Sequence, residues 1–224
     1  FLLLAFSGLY SVCQAGGAGK TEAAETGDNT FYDRIMKILK THKIEEPPAV
    51  KPERKPTPIF GAPEVTKSQM ISYIKRHNPR PKLTCTVEEL VDTYFEEALA
   101  EGIRPDLALA QAILETGFFR FNGDVLPEQN NFAGIGSIGG GAKGIWFPTP
   151  QIGVRAHVQH LLAYASDQQP HRAVVDPRFN LVRSLAGYSA QCPTWESLSG
   201  KWAIPGLNYG DNIIGIVEKV KASM

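Results

Sequence analysis

The chain has 224 residues and carries 23 basic against 23 acidic side chains, so its formal net charge is zero. With 43% hydrophobic and 21% charged residues it is ordinary globular material, long enough for one substantial core plus appendages. Balanced charge, with no basic stripe and no recognised binding motif, argues against nucleic acid as a partner.

Residues 1–15, FLLLAFSGLYSVCQA, form an apolar run that ends in small residues and is short for a membrane span. The run reads as the remnant of a secretory signal, which predicts a protein that is secreted or associated with the cell wall or surface. Lipidation of Cys13, or a membrane tether through the N-terminus, is the alternative. If Cys13 leaves with the signal, Cys85 and Cys192 remain, and whether they pair is left open by their spacing. Residues 16–58 have the character of a flexible linker. A short amphipathic helix over 31–40 sets Phe31, Ile35, Ile38 and Leu39 on one side, and a Pro-, Lys- and Glu-rich stretch follows.

Residues 59–224 predict a mainly α domain. A first helix runs from Thr66 to His77. Thr86 caps a second, with Glu89 completing a Thr-x-x-Glu capping box and Val87, Leu90, Val91, Tyr94, Phe95, Ala98 and Leu99 forming a buried stripe. A third helix is opened by Pro105 and closed by Gly117. Residues 132–147 predict a β-hairpin turning at Gly139–Gly141. Thr149 and Pro150 then open a helix to about Ser166, and shorter helices are expected at Thr194–Trp202 and Tyr209–Ala222. In helical spacing Trp195 and Trp202 share a face, which predicts core packing for both. No internal repeat is evident, and a monomer is expected.

Chemistry concentrates at the end of the third helix. Glu115 closes an apolar helix, where the helix dipole disfavours a negative charge and the neighbours Ala108, Gln111 and Ala112 offer no cation. Both effects favour a protonated carboxyl, the form a general acid needs. The stretch after it, Phe118-Phe119-Arg120-Phe121 followed by Asn130-Asn131-Phe132-Ala133-Gly134, alternates aromatics with Gly and Asn. That pattern suits stacking on sugar rings and hydrogen bonding to hydroxyl and acetamido groups. The glycines are not a P-loop, since no strand precedes them and no Gly-Lys-Ser/Thr follows. His157 and His160 are three apart but have no third ligand, so neither a metal nor a cofactor is expected and the pair reads as packing or surface histidines.

Four segments carry a resemblance: Leu109–Gly117 (LAQAILETG), Asn130–Gly136 (NNFAGIG), Phe147–Ala156 (FPTPQIGVRA) and Leu198–Ala203 (LSGKWA). In this order they resemble the bacterial peptidoglycan endo-β-N-acetylglucosaminidases of glycoside hydrolase family 73, in the lysozyme-like superfamily, over roughly residues 59–224. The resemblance implies a lysozyme-like α-helical domain with a small β-hairpin lobe (α+β), peptidoglycan glycan strands as substrate, and Glu115 as general acid. It also implies a cleft position for Tyr209. Many members draw a second carboxylate from the hairpin region, but Ala133–Ser166 contains no Asp or Glu. Glu128 is the first candidate for that role and Asp124 the next, with the substrate's own acetamido group as the alternative nucleophile. Phe118, Phe119, Asn131, Phe132, Gly134 and Asp211 complete the expected substrate-binding set. A muramidase or transglycosylase, and a non-catalytic glycan-binding module, are the competing readings.

Overall fold

A computed structural model describes residues 54–137, 144–185, 187–204 and 206–223. The signal-like run, most of the linker with its amphipathic helix, and the glycines expected to turn the hairpin lie outside the described residues. A compact unit begins at Pro56. Its first residues are stitched in by backbone hydrogen bonds: Ile59 N–H to Pro193 O at 3.0 Å, Trp195 N–H to Thr57 O at 2.9 Å and Arg104 N–H to Ile59 O at 2.9 Å.

Helix α1 spans Lys67–His77 and α2 Val87–Ala100. Both start at a reciprocal capping box, Thr66 with Gln69 and Thr86 with Glu89, in which each side chain satisfies an amide that the first helical turn leaves without a partner. The α2 stripe is buried as its spacing predicts, except that Leu99 is 50% exposed. Helix α3, Pro105–Glu115, opens on Pro105 and is anchored by Asp106, whose carboxylate accepts from Glu64 N–H at 2.8 Å and from Arg104 at 2.9 Å. Residues Leu107–Ile113 of α3 are all buried, so this helix, apolar except for Gln111 over that stretch, runs through the core.

Helix α4, Pro150–Ala165, is capped by Thr149 and packs against α2 and against α5, Phe179–Ser184. Helix α6, Tyr209–Ala222, packs against α3 and α1. The mainly α expectation is met; α2 and α6 pack on α3, and Glu115 at its C-terminal end is exposed.

The β lobe differs from expectation. Among the described residues the hairpin's first flank runs as turns, the second is irregular, and neither forms a strand; one backbone hydrogen bond, Ile145 N–H to Ile135 O at 3.0 Å, ties them. The helix expected at Thr194–Trp202 shrinks to a 3₁₀ turn, Glu196–Leu198. Ser197 Oγ donates to Thr194 O at 2.5 Å and Gly200 takes φ +74°, so local side-chain bonding and a left-handed glycine end the helix early. The two tryptophans therefore part company: Trp195 is wholly buried, and Trp202 lines a cleft. Cys85 and Cys192 are both free thiols; the Cys192 thiol is buried and donates to Ser197 O.

Candidate active site

Helix α3 ends at Glu115, and the backbone then turns left-handed. Gly117, Phe118 and Phe119 have φ of +58°, +57° and +58°, and Phe121 has φ +49°. For bulky L-residues this conformation costs about 1–2 kcal/mol each, so the segment must be held. Thr116 holds it. Its hydroxyl donates to Ala112 O at 2.7 Å and accepts from Phe119 N–H at 2.9 Å, while its carbonyl accepts from the Arg120 and Phe121 amides at 3.1 and 3.0 Å. The turn drives the Phe119 ring fully into the core and carries the chain away from Glu115, which is left facing a cleft of about 490 Å³.

One side of the cleft is Phe121–Val125, another Asn131 and Ala133–Ser137, and a third His160, Tyr164, Arg178, Trp202 and Ala203. The loop at Asn131 is clamped from within. Asn131 Nδ2 donates to Ile135 O at 2.9 Å and Ile145 O at 3.1 Å, and its Oδ1 accepts from Ile135 N–H at 2.9 Å. His160 is fixed by Asp176 at 2.7 Å and packs edge-on to the Trp202 indole, with ring centroids 5.0 Å apart.

Glu115 itself is solvent-accessible along the cleft, yet protein surrounds it on most other sides. Those surroundings set its ionisation. Desolvation raises its carboxyl above the usual 4.5, and hydrogen bonds from Tyr209 and Trp202 pull it part of the way back. Tyr209 O–H donates to Glu115 Oε1 and is itself a buried hydroxyl, pushed far above its ordinary range by burial and by the adjacent carboxylate. A carboxyl kept protonated at raised pH, with donors waiting to stabilise its anion, can deliver a proton to an oxygen leaving group in the cleft. Among the described residues no group of three or more His, Cys, Asp or Glu side chains converges as metal ligands would.

The expected residues divide. Glu115, Asn131 and Gly134 line the cleft, and Tyr209, buried outside the lining, reaches Glu115 through its hydroxyl. Asp124 lines it, whereas Glu128 stands exposed on the 3₁₀ turn Pro127–Gln129, outside the lining. Phe118 stacks on His77 with centroids 4.9 Å apart, and Phe119 and Phe132 meet edge to face at 6.4 Å in the core. These three aromatics are therefore packing residues; the left-handed turn rotates Phe118 and Phe119 inward, Phe132 is buried from the loop after Asn131, and Phe121 is the aromatic of the first run which reaches the cleft. Asn131 spends its amide on its own loop, and Asp211 lies exposed in the first turn of α6, away from the lining. Trp202, His160 and Arg178 escaped sequence reading. Trp202 stood inside a recognised segment but was assigned to a helix that does not form, His160 was read with His157 as a packing or surface histidine, and nothing local marked Arg178.

A family model described as mannosyl-glycoprotein endo-β-N-acetylglucosaminidase matches residues 91–222, a stretch that contains Glu115, Asp124, Trp202 and Tyr209. The chain belongs to this glucosaminidase family. The glucosaminidase family is one of glycoside hydrolases, and its match covers both the helix bearing Glu115 and the one bearing Tyr209. A protein of Borreliella burgdorferi described as uncharacterized is 45% identical over 117 residues, which cover 52% of this chain and 55% of that relative. The chain thus spans about half the length of the curated relative it matches. No solved structure matches.

Trp202→Phe tests the second donor at the glucosaminidase cleft. The ring packing against His160 and Tyr164 survives this change, while the N–H to Glu115 is lost. If Glu115 gives up a proton in the reaction, turnover should fall about tenfold with little change in KM. A rise in KM at constant kcat would instead assign Trp202 to substrate binding.

Proposed function

We propose that this domain is an exported endo-β-N-acetylglucosaminidase that hydrolyses the β-1,4 bond following N-acetylglucosamine in peptidoglycan, with Glu115 as general acid. The observation that carries the reading is the Glu115 carboxyl on the wall of an open cleft, raised in pKa by its surroundings and hydrogen-bonded to Tyr209. In the reaction Glu115 gives its proton to the glycosidic oxygen as the C1–O bond breaks, and the resulting carboxylate is stabilised by the Tyr209 and Trp202 donors. Water adds at C1 and loses a proton to a base. A cleft open at the surface suits an internal bond of a polymer better than a chain end. Export fits a wall substrate and the apolar run at residues 1–15.

Asp124 is the carboxylate best placed for the base, as the acid of the loop pair that lines the cleft. Asp124→Asn should therefore lower kcat at least about tenfold, and Glu128→Gln should leave it within about twofold. If both variants turn over like the parent, the substrate's acetamido group supplies the nucleophile.

The family description names a mannosyl glycoprotein, whose chitobiose core is a second substrate to examine. Digesting purified peptidoglycan and an N-glycoprotein in parallel, reducing the products with borohydride and weighing them by mass spectrometry separates the readings. Reduced N-acetylglucosamine ends from peptidoglycan support the proposal. Reduced muramic ends make the domain a muramidase, cleavage of the glycoprotein alone moves the substrate, and binding without new ends makes it a glycan-binding module.

A further inference from the structure

Behind Tyr209 a line of buried polar side chains leads away from the cleft and plays no part in the chemistry described so far. Gln111 Nε2 donates to the Tyr209 hydroxyl at 2.8 Å, Gln111 Oε1 lies 2.9 Å from His157 Nε2, and His157 Nδ1 lies 2.9 Å from the Tyr94 hydroxyl. Tyr94, Gln111 and His157 are all 0% exposed, and they come from three different helices, α2, α3 and α4. Burying three polar groups in an apolar core is costly unless each is satisfied, so the arrangement calls for a reason.

The hydrogen-bonding capacities give the line a single direction. Suppose it ran backwards, with Glu115 donating to Tyr209, Tyr209 to Gln111, Gln111 to His157 Nε2 and His157 Nδ1–H to Tyr94. The Tyr94 hydroxyl proton would then have no acceptor in a fully buried site, which leaves a costly unsatisfied donor in the core. Forwards, no hydroxyl or imidazole proton is stranded: Tyr94 O–H donates to His157 Nδ1, His157 Nε2–H to Gln111 Oε1, Gln111 Nε2–H to Tyr209, and Tyr209 O–H to Glu115 Oε1. This direction needs a neutral His157, and burial with His160 nearby depresses its pKa to about 3.

Building on the general-acid role of Glu115, we propose that Tyr94, His157 and Gln111 form a one-way hydrogen-bond relay whose task is to lock Tyr209 as a donor to Glu115 Oε1. They are positioning residues. With Oε1 always accepting, the acidic proton of Glu115 is confined to Oε2, the oxygen left for the substrate, and the anion formed after proton transfer meets a donor already in place. The other titratable or charged groups that line the cleft with Glu115 are His160 and Tyr164 from α4, Asp124 from the loop after α3, and Arg178 before α5; none belongs to the relay.

The test is the Glu115 carboxyl pKa, followed by carbon-detected NMR without any turnover, together with the pH profile of kcat/KM. Gln111→Met removes both of that residue's hydrogen bonds at similar length. It should raise the Glu115 pKa by about half a pH unit or more, because burial is then less opposed, and move the basic limb of activity up with it. Turnover should drop about tenfold with KM within about twofold. His157→Met should behave alike, whereas His157→Gln, whose amide can accept from Tyr94 and donate to Gln111, should keep most of the parent's rate and the parent's Glu115 pKa. Tyr94→Phe deletes one oxygen and should shift the pKa the same way by less. If the variants fold and lose activity with the Glu115 pKa unmoved, or if His157→Gln fares no better than His157→Met, the side chains serve packing and the relay is overturned. A parent protein without glycosidase activity would defeat the general-acid reading, while the NMR titration would still decide the relay.

Discussion

Glu115→Gln should lose at least about a hundredfold in turnover while becoming more stable than the parent at neutral pH. The two effects share one cause. The folded protein holds the Glu115 carboxyl above its ordinary value of 4.5, mainly through desolvation, so it prefers the protonated form that the unfolded chain gives up sooner. Between the unfolded and folded pKa the native state binds more protons, so stability falls as pH rises through that window and the penalty persists above it. Glutamine carries no such penalty and its amide oxygen can still accept from Tyr209. The stability advantage should therefore vanish as the pH drops below about 4, where both states of the parent are protonated. Thermal melts of the two proteins at acidic and neutral pH check the prediction; a destabilised glutamine variant at neutral pH would mean that Glu115 is held as a stabilising anion. In the same way, parent activity should be lost as pH rises through the elevated Glu115 pKa and not before it.

Gly210→Ala should be among the most damaging single-methyl changes in the domain. Gly210 follows Tyr209 in the first turn of α6, and a Cβ there would lie 2.1 Å from Trp195 O and 2.5 Å from Glu196 Cα. Those atoms are backbone, at the 3₁₀ turn against which α6 packs, and cannot swing aside as a side-chain tip would. Overpacking of this kind costs about 1–3 kcal/mol, which for a domain of this size lowers Tm by about 3–10 °C. The start of α6 would be displaced, and the Tyr209 hydroxyl with it, so turnover should fall as well. Gly215→Ala is the internal control. It lies in the same helix, nothing stands within 4 Å of its added Cβ, and it should stabilise by about 0.5–1 kcal/mol. Equal melting temperatures for the two variants would show that the contact at Trp195 relaxes freely.

What could be read from sequence was whatever local chemistry determines. Thr86 with Glu89, Pro105 with Gly117, and Thr149 with Pro150 are signals contained within one or two turns, and the helices start where those signals stand. Glu115 was legible for the same reason, since its helix end, apolar neighbours and missing cation are all nearby in the chain. The failures came from groups that meet only in the folded state. Phe118 and Phe119 looked like cleft aromatics until a left-handed turn, pinned by Thr116, rotated them into the core. Trp202 was placed on a helix with Trp195, and side-chain bonding at Thr194–Ser197 ended that helix first. Gln111 and His157 are 46 residues apart and meet only when the fold brings their side chains together in the core; no spacing rule could join them.

The most direct test of the general-acid role of Glu115 uses leaving groups. The natural β-1,4 linkage expels a poor alkoxide that needs a proton, whereas a dinitrophenyl glycoside of a chito-oligosaccharide expels a phenolate that does not. Measured on both substrates, Glu115→Gln should lose at least about a hundredfold on the natural bond and no more than about tenfold on the aryl glycoside. An equal loss on both would contradict the account, because a residue whose removal ignores the leaving group is not the one that protonates it.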